Sequence, residues 1–156
     1  MATLEDYKKF MAEVSKLTDL PAMASDDDGL VSVRVEEEYI VSLQFIEASQ
    51  KVLCFIEVTD LPEDTPTEVY RDILAGSLFG RETGGGYFAM DRDTNTLIYN
   101  YLFDFSVIAA NPAEFVESLE NILQNVEVWA VRIGAGISGE SGDVSAKHED
   151  DVFIQP

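Results

Sequence analysis

The chain has one cysteine, Cys54, and one histidine, His148, in 156 residues. A single thiol forms no internal disulfide and no cysteine-based zinc cluster, and it fits a reducing compartment. Cys54 stands in mid-strand among apolar neighbours, where a thiol is inert packing. His148 falls in an acidic, glycine-rich C-terminal stretch, so a rigid Ser-His-Asp or Cys-His arrangement is not expected. Basic residues are scarce: ten Lys plus Arg against thirty Asp plus Glu leave a formal net charge of −20. Such a field repels nucleic-acid phosphates and anionic membrane surfaces, keeps an apolar-surfaced protein soluble and attracts basic segments. No apolar run approaches the ~20 residues that span a bilayer, and MATLEDYKKF has no apolar signal core. Neither nucleic acid nor membrane is an expected partner.

Two motifs that would suggest ligands fail on spacing. Gly84-Gly85-Gly86 has no following lysine at phosphate-loop distance and leads into a strand, which is the wrong context for a nucleotide cradle. Asp26-Asp27-Asp28 precedes Gly29, but counting back six positions puts Ala24 where an EF-hand needs its first ligand, so the run reads as a solvated turn. Carboxylates are so numerous that a pair such as Glu36 with Glu38 says nothing about acid–base catalysis. No cofactor or metal is expected. A small carboxylate-dependent enzyme is the weaker alternative for want of a structured histidine, and a shift of melting temperature on adding divalent metal would reveal it.

What is present is a core. A hydrophobic content of 46% suits one domain. Thr3 with Asp6 starts a first helix whose apolar stripe is Tyr7, Phe10, Met11, Val14 and Leu17. Three strands follow at short intervals, Leu30 to Glu36, Tyr39 to Glu47 and Lys51 to Val58, an antiparallel meander. Val31, Val33 and Val35 alternate with polar residues, whereas the third strand has Val52, Cys54, Ile56 and Val58 on one face and Leu53 and Phe55 on the other. Both faces of that strand ask for cover, from helices of the same subunit or from a partner chain.

Thr65-Pro66-Thr67-Glu68 reads as a capping box for a second helix carrying Val69, Ile73, Leu74 and Leu78 and closed by Gly80. The triple glycine then redirects the chain into a hairpin, Tyr87 to Asp91 and Thr96 to Phe105, turned by Asp93, Thr94 and Asn95. Asn111-Pro112-Ala113-Glu114 caps the last helix, with Phe115, Leu119, Ile122, Leu123, Val126, Ala130 and Ile133 inward and Trp129 as core at the stripe's edge. Gly134 is expected to stop it, which leaves residues 1–133 as the domain and 134–156 as a flexible acidic tail. The order is α-β-β-β-α-β-β-α, an α+β domain with an antiparallel sheet covered by helices.

Ser77-Leu78-Phe79, Thr83-Gly84-Gly85-Gly86-Tyr87, the strand ending at Asp91, the returning strand around Leu97 to Leu102 and a final helix with Trp129 near its end occur together in one known pattern. Over residues 3 to 133 it resembles the class I type III secretion chaperones, the Tir-chaperone (CesT) family of small acidic bacterial proteins. The resemblance implies a cytoplasmic, non-catalytic homodimer joined around the second helix and neighbouring strands. Such a protein would bind the N-terminal segment of a secreted effector in non-globular form and deliver it to the type III secretion apparatus. Periodicity combined with that architecture gives Phe10, Val14, Val31, Val33, Leu53 and Phe55 as effector-binding candidates. It gives Val69, Ile73, Leu78, Ile98 and Leu102 as dimer contacts. A stand-alone regulatory or interaction domain of the same fold is the other reading, and gene neighbourhood would separate the two.

Overall fold

Thr3 opens the first helix as expected. Its side chain accepts the Asp6 N–H while the Asp6 carboxylate accepts the Thr3 N–H, and this reciprocal pair caps α1, Leu4–Lys16. The computed structural model describes residues 1–19 and 25–139. α1 buries Tyr7, Phe10, Met11 and Val14. Leu17 does not join them: it follows the last helical residue and is 52% exposed. Before the first strand, the Asp26 carboxylate accepts the N–H groups of Asp28 and Leu30, so the aspartate run serves a turn.

The strands are β1 (Leu30–Val35), β2 (Tyr39–Ile46), β3 (Lys51–Asp60), β4 (Tyr87–Asp91) and β5 (Thr96–Asp104). They form one five-stranded antiparallel sheet in the order β1-β2-β3-β5-β4. Residues directly opposite in register share a face. Val31, Leu43, Cys54 and Tyr101 make one row across the sheet, and Ser32, Ser42, Phe55 and Asn100 make a neighbouring row on the opposite face.

The helices gather on the first of these faces. α2 (Thr67–Gly76), the short α3 (Phe105–Ala110) and the long α4 (Pro112–Ser138) complete the fold. The main core joins α1, α3 and α4 to the sheet through stacked Tyr7 and Phe45 (5.2 Å between ring centres), Phe10 against Phe115 (5.3 Å) and Phe103 against Phe115 (5.0 Å). Such ring pairs contribute about 0.5–1.5 kcal/mol each beyond area burial. Cys54 belongs to this core, fully buried, and burial pushes its thiol up to about 12, a packing residue as expected.

A second cluster holds α2 to α4 and the sheet: Leu61, Val69, Ile73, Leu97, Trp129 and Ile133. Arg132 of α4 bonds both carboxylate oxygens of Asp72 on α2, reaches Glu82 at 3.3 Å and lies 4.4 Å over the Trp129 ring. All three charged groups are about a third or more exposed, so solvent screens them. Arg132→Ala is expected to cost about 1 kcal/mol, a melting temperature lower by about 3 °C, with the difference shrinking in high salt.

Local expectations fail at several places, each for a visible reason. Thr65 does not cap α2: its hydroxyl and N–H both bond Pro62 O in the preceding turn, and the helix begins at Thr67 without a side-chain cap. α2 ends at Gly76, followed by a 3₁₀ turn over Leu78–Gly80, so Leu78 leaves the buried stripe and is 54% exposed; Leu74, inside α2, lies off the face buried by Val69, Ile73 and Gly76 and is 71% exposed. Phe105 starts α3 instead of ending β5. α4 passes through Gly134 to Ser138 and stops at Gly139, φ +85°, because Gly136 and Ile137 continue its packing and offset the ~1 kcal/mol a helical glycine costs. The tail read over 134–156 is therefore helical through Ser138; its remainder, residues 140–156 with His148, lies outside the described residues.

Candidate functional site

α1 and α4 do not cover the sheet to its β1 edge. Val33, Val35 and Val41 remain half-buried there. Together with Leu43 they floor a groove of about 630 Å³, walled on one side by Leu17, Thr18 and Asp19 and on the other by Val116, Leu119 and Leu123 of α4. From Val116 to Glu127 the α4 wall runs about 16 Å at the helical rise per residue. Glu36, Glu120, Gln124 and Glu127 complete the lining. An apolar slot of this length, open to solvent and flanked by carboxylates, has the form of a peptide-docking groove.

Carboxylates from separate elements converge at its mouth. The Tyr39 hydroxyl is raised above its ordinary range by burial first, then by Glu38, Glu127 and Glu36, so the β1–β2 turn and α4 bear on one phenol. A smaller hollow of about 200 Å³ lies between α4 and the glycine loop, lined by Gly84, Tyr99, Tyr101, Ser118, Asn121, Ile122 and Asn125. The buried Asn125 Oδ1 has no hydrogen-bond partner among the described residues.

The glycine segment itself is structural. Thr83 is fully buried, its hydroxyl donates to Gly86 O, and the Tyr99 hydroxyl donates to Thr83 O at 2.6 Å. A Cβ on Gly86 would sit 2.3 Å from the Tyr99 oxygen, so only glycine lets the chain enter β4 this close to β5.

The six effector-binding candidates do not form one surface. Phe10, Val14 and Val31 are core, at 5%, 0% and 1% exposure, because they face the centre of the helix-covered side. Val33 lies in the groove. Leu53 and Phe55 are on the opposite face, helix-free among the described residues, where Leu53 is directly across from Leu102. Among the dimer candidates Val69 and Ile73 are inside the chain's own second cluster. Leu78 is exposed, as are its neighbours Leu74 and Phe79, the last at 82% with φ +57°, unusual for a bulky side chain. Ile98 and Leu102 share the helix-free face with Leu53 and Phe55. None of these four belongs to either core cluster.

Leu17, Val35, Val41, Leu43, Val116, Leu119 and Leu123 are the apolar groove residues that the sequence-based site omitted. Leu119 and Leu123 were visible as part of a stripe on α4 wider than its core contact required. Among the described residues, no group of His, Cys, Asp or Glu is arranged to hold a metal ion, and no helix is long and apolar enough to cross a membrane.

Similar proteins share this architecture. A protein of Chlamydia pneumoniae is 26% identical over 112 residues, 71% of this chain and 82% of its own length. A chain of the ExsC–ExsE complex superposes with a TM-score of 0.70 at 19% identity, over 85% of this chain and 97% of that one. A chain of the HopA1–SchA chaperone–effector complex gives 0.68 at 14% identity, over 83% and 98%. The Yersinia pestis type III secretion chaperone SycH complex with a fragment of YscM2 gives 0.63 at 17%, over 79% and 98%. The model of one family, the Tir chaperone proteins (CesT), matches residues 9–130, which takes in the second half of α1, the whole sheet, α2, α3 and most of α4, and the chain belongs to that family.

Proposed function

We propose that this protein is a non-catalytic, cytoplasmic type III secretion chaperone. It binds the N-terminal region of a cognate effector as a non-globular segment and keeps it competent for secretion. The observation that carries this reading is the groove at the β1 edge: a space of about 630 Å³ with an apolar floor that none of the described residues covers. One solved structure of this fold is a chaperone–effector complex and another is a type III secretion chaperone bound to a fragment of a second protein, which supports the same use here. Limited proteolysis of the complex tests it. A protected effector fragment close to the effector's N-terminus is expected; protection of a folded effector domain instead would contradict it.

The protein acts as a homodimer in this reading. Leu74, Leu78 and Phe79 present apolar surface that a second copy would cover, and soluble proteins rarely leave such patches open. Leu78→Asp with Phe79→Asp changes only exposed side chains and is expected to give a folded monomer by light scattering; a folded dimer would remove this segment from the interface. The helix-free face carries Leu53 and Phe55 beside Ile98 and Leu102 and is a second protein contact. Leu53→Asp with Phe55→Asp is expected to abolish effector binding while the dimer survives. A folded monomer would assign that face to the subunit contact, and loss of folding would make these residues core.

A further inference from the structure

Asp19, two residues past the Leu17 C-cap of α1, Glu36 in the β1–β2 turn, and Glu120 and Glu127 on α4 line the groove from three elements. Among the described residues none of these four is in an ion pair. Four carboxylates converging on an apolar slot repel one another, and an incoming cation relieves that repulsion. Pairs across such a rim stay partly solvated, so each contributes a few tenths of a kcal/mol and more to choice of partner and encounter rate than to raw affinity.

We infer that this rim selects its occupant by charge: the groove takes a peptide segment whose apolar anchors are flanked by Lys or Arg, and it discriminates against the same anchors flanked by Asp or Glu. This rests on the groove being the partner site. The floor supplies area without distinguishing one apolar segment from another; the rim supplies the distinction. Discrimination of about tenfold at low ionic strength is expected, falling towards unity near 1 M salt, where the Debye length is about 3 Å.

The test is selection of displayed 16-residue peptides, balanced in Lys, Arg, Asp and Glu, on the full-length protein, with Leu119→Asp as the counter-selecting variant. Peptides that depend on Leu119 are expected to carry excess Lys and Arg beside apolar residues. Glu120→Lys with Glu127→Lys, both at the surface of α4, is expected to reverse that bias. Leu119-dependent peptides without charge bias would overturn the selection by charge and leave the groove standing. Absence of any Leu119-dependent peptide would overturn the groove itself. Enrichment that appears only after removal of residues 140–156 would overturn the inference in favour of the chain's own C-terminal segment as occupant.

Discussion

Replacing Trp129 by alanine is expected to lower folding stability by about 3–5 kcal/mol, the range for removing a large buried aromatic side chain. Trp129 is 2% exposed and sits where α2, α4 and the hairpin meet. Its six-membered ring lies where a Cβ on Gly76 would be, 2.3 Å from that position, so α2 can approach α4 only with glycine at 76. Phe88 of β4 meets the same indole at 5.2 Å, and Nε1 donates to Glu82 O at 2.8 Å. Alanine would remove the filler, leave the Glu82 carbonyl only the longer bond from Asn125 Nδ2 at 3.4 Å and take away the surface over which Arg132 lies. Thermal denaturation followed by circular dichroism should show a melting temperature lower by about 10 °C. Trp129→Phe keeps most of the volume and should lose less than half as much. A loss under 1 kcal/mol for alanine would mean that the second cluster does not hold α2 in place.

Leu119→Asp is expected to weaken effector binding about 30-fold or more while the chain stays folded. Leu119 is only half-buried, on the rim side of the main cluster, and points into the groove with Val116 and Leu123. A charge there costs little in the free protein because water reaches it, but docking an apolar anchor against it desolvates the carboxylate. Val126→Asp on the same helix is the contrasting change. Val126 is fully buried, and its replacement should unfold the protein. Equal effector affinity in the Leu119 variant and the unchanged protein would take the groove out of effector recognition.

Most of the fold was legible in the sequence because its signals are local. Thr3 with Asp6 and Asn111 with Glu114 mark helix starts, and both make the expected cap bonds. Alternation in β1 and β5 fixed which residues share a face. What was not legible is how far the helices reach over the sheet. Periodicity gives Phe10 and Val33 the same apolar signal, yet one sits under the centre of the helix layer and the other beyond its edge. The same limit explains Val69 and Ile73. A stripe on α2 shows that a face is buried, but whether α4 or a second subunit buries it depends on tertiary placement, here on Gly76 closing against Trp129. Leu53 and Phe55 show in the sequence only that the second face of their strand asks for cover, from helices of the same subunit or from a partner chain. That no helix among the described residues supplies it follows only from the register with Ser42, Asn100 and Leu102, which puts Leu53 and Phe55 on the face away from α1, α2 and α4.

The most direct measurement is co-purification of the tagged protein from lysate of its native cells, alongside the Leu119→Asp variant, with mass spectrometry of what remains bound and light scattering of the product. The expected result is a dimer carrying a secreted protein, lost from the variant. A clean dimer with nothing bound in either preparation would contradict the chaperone reading, and a monomer would contradict the subunit contact as well.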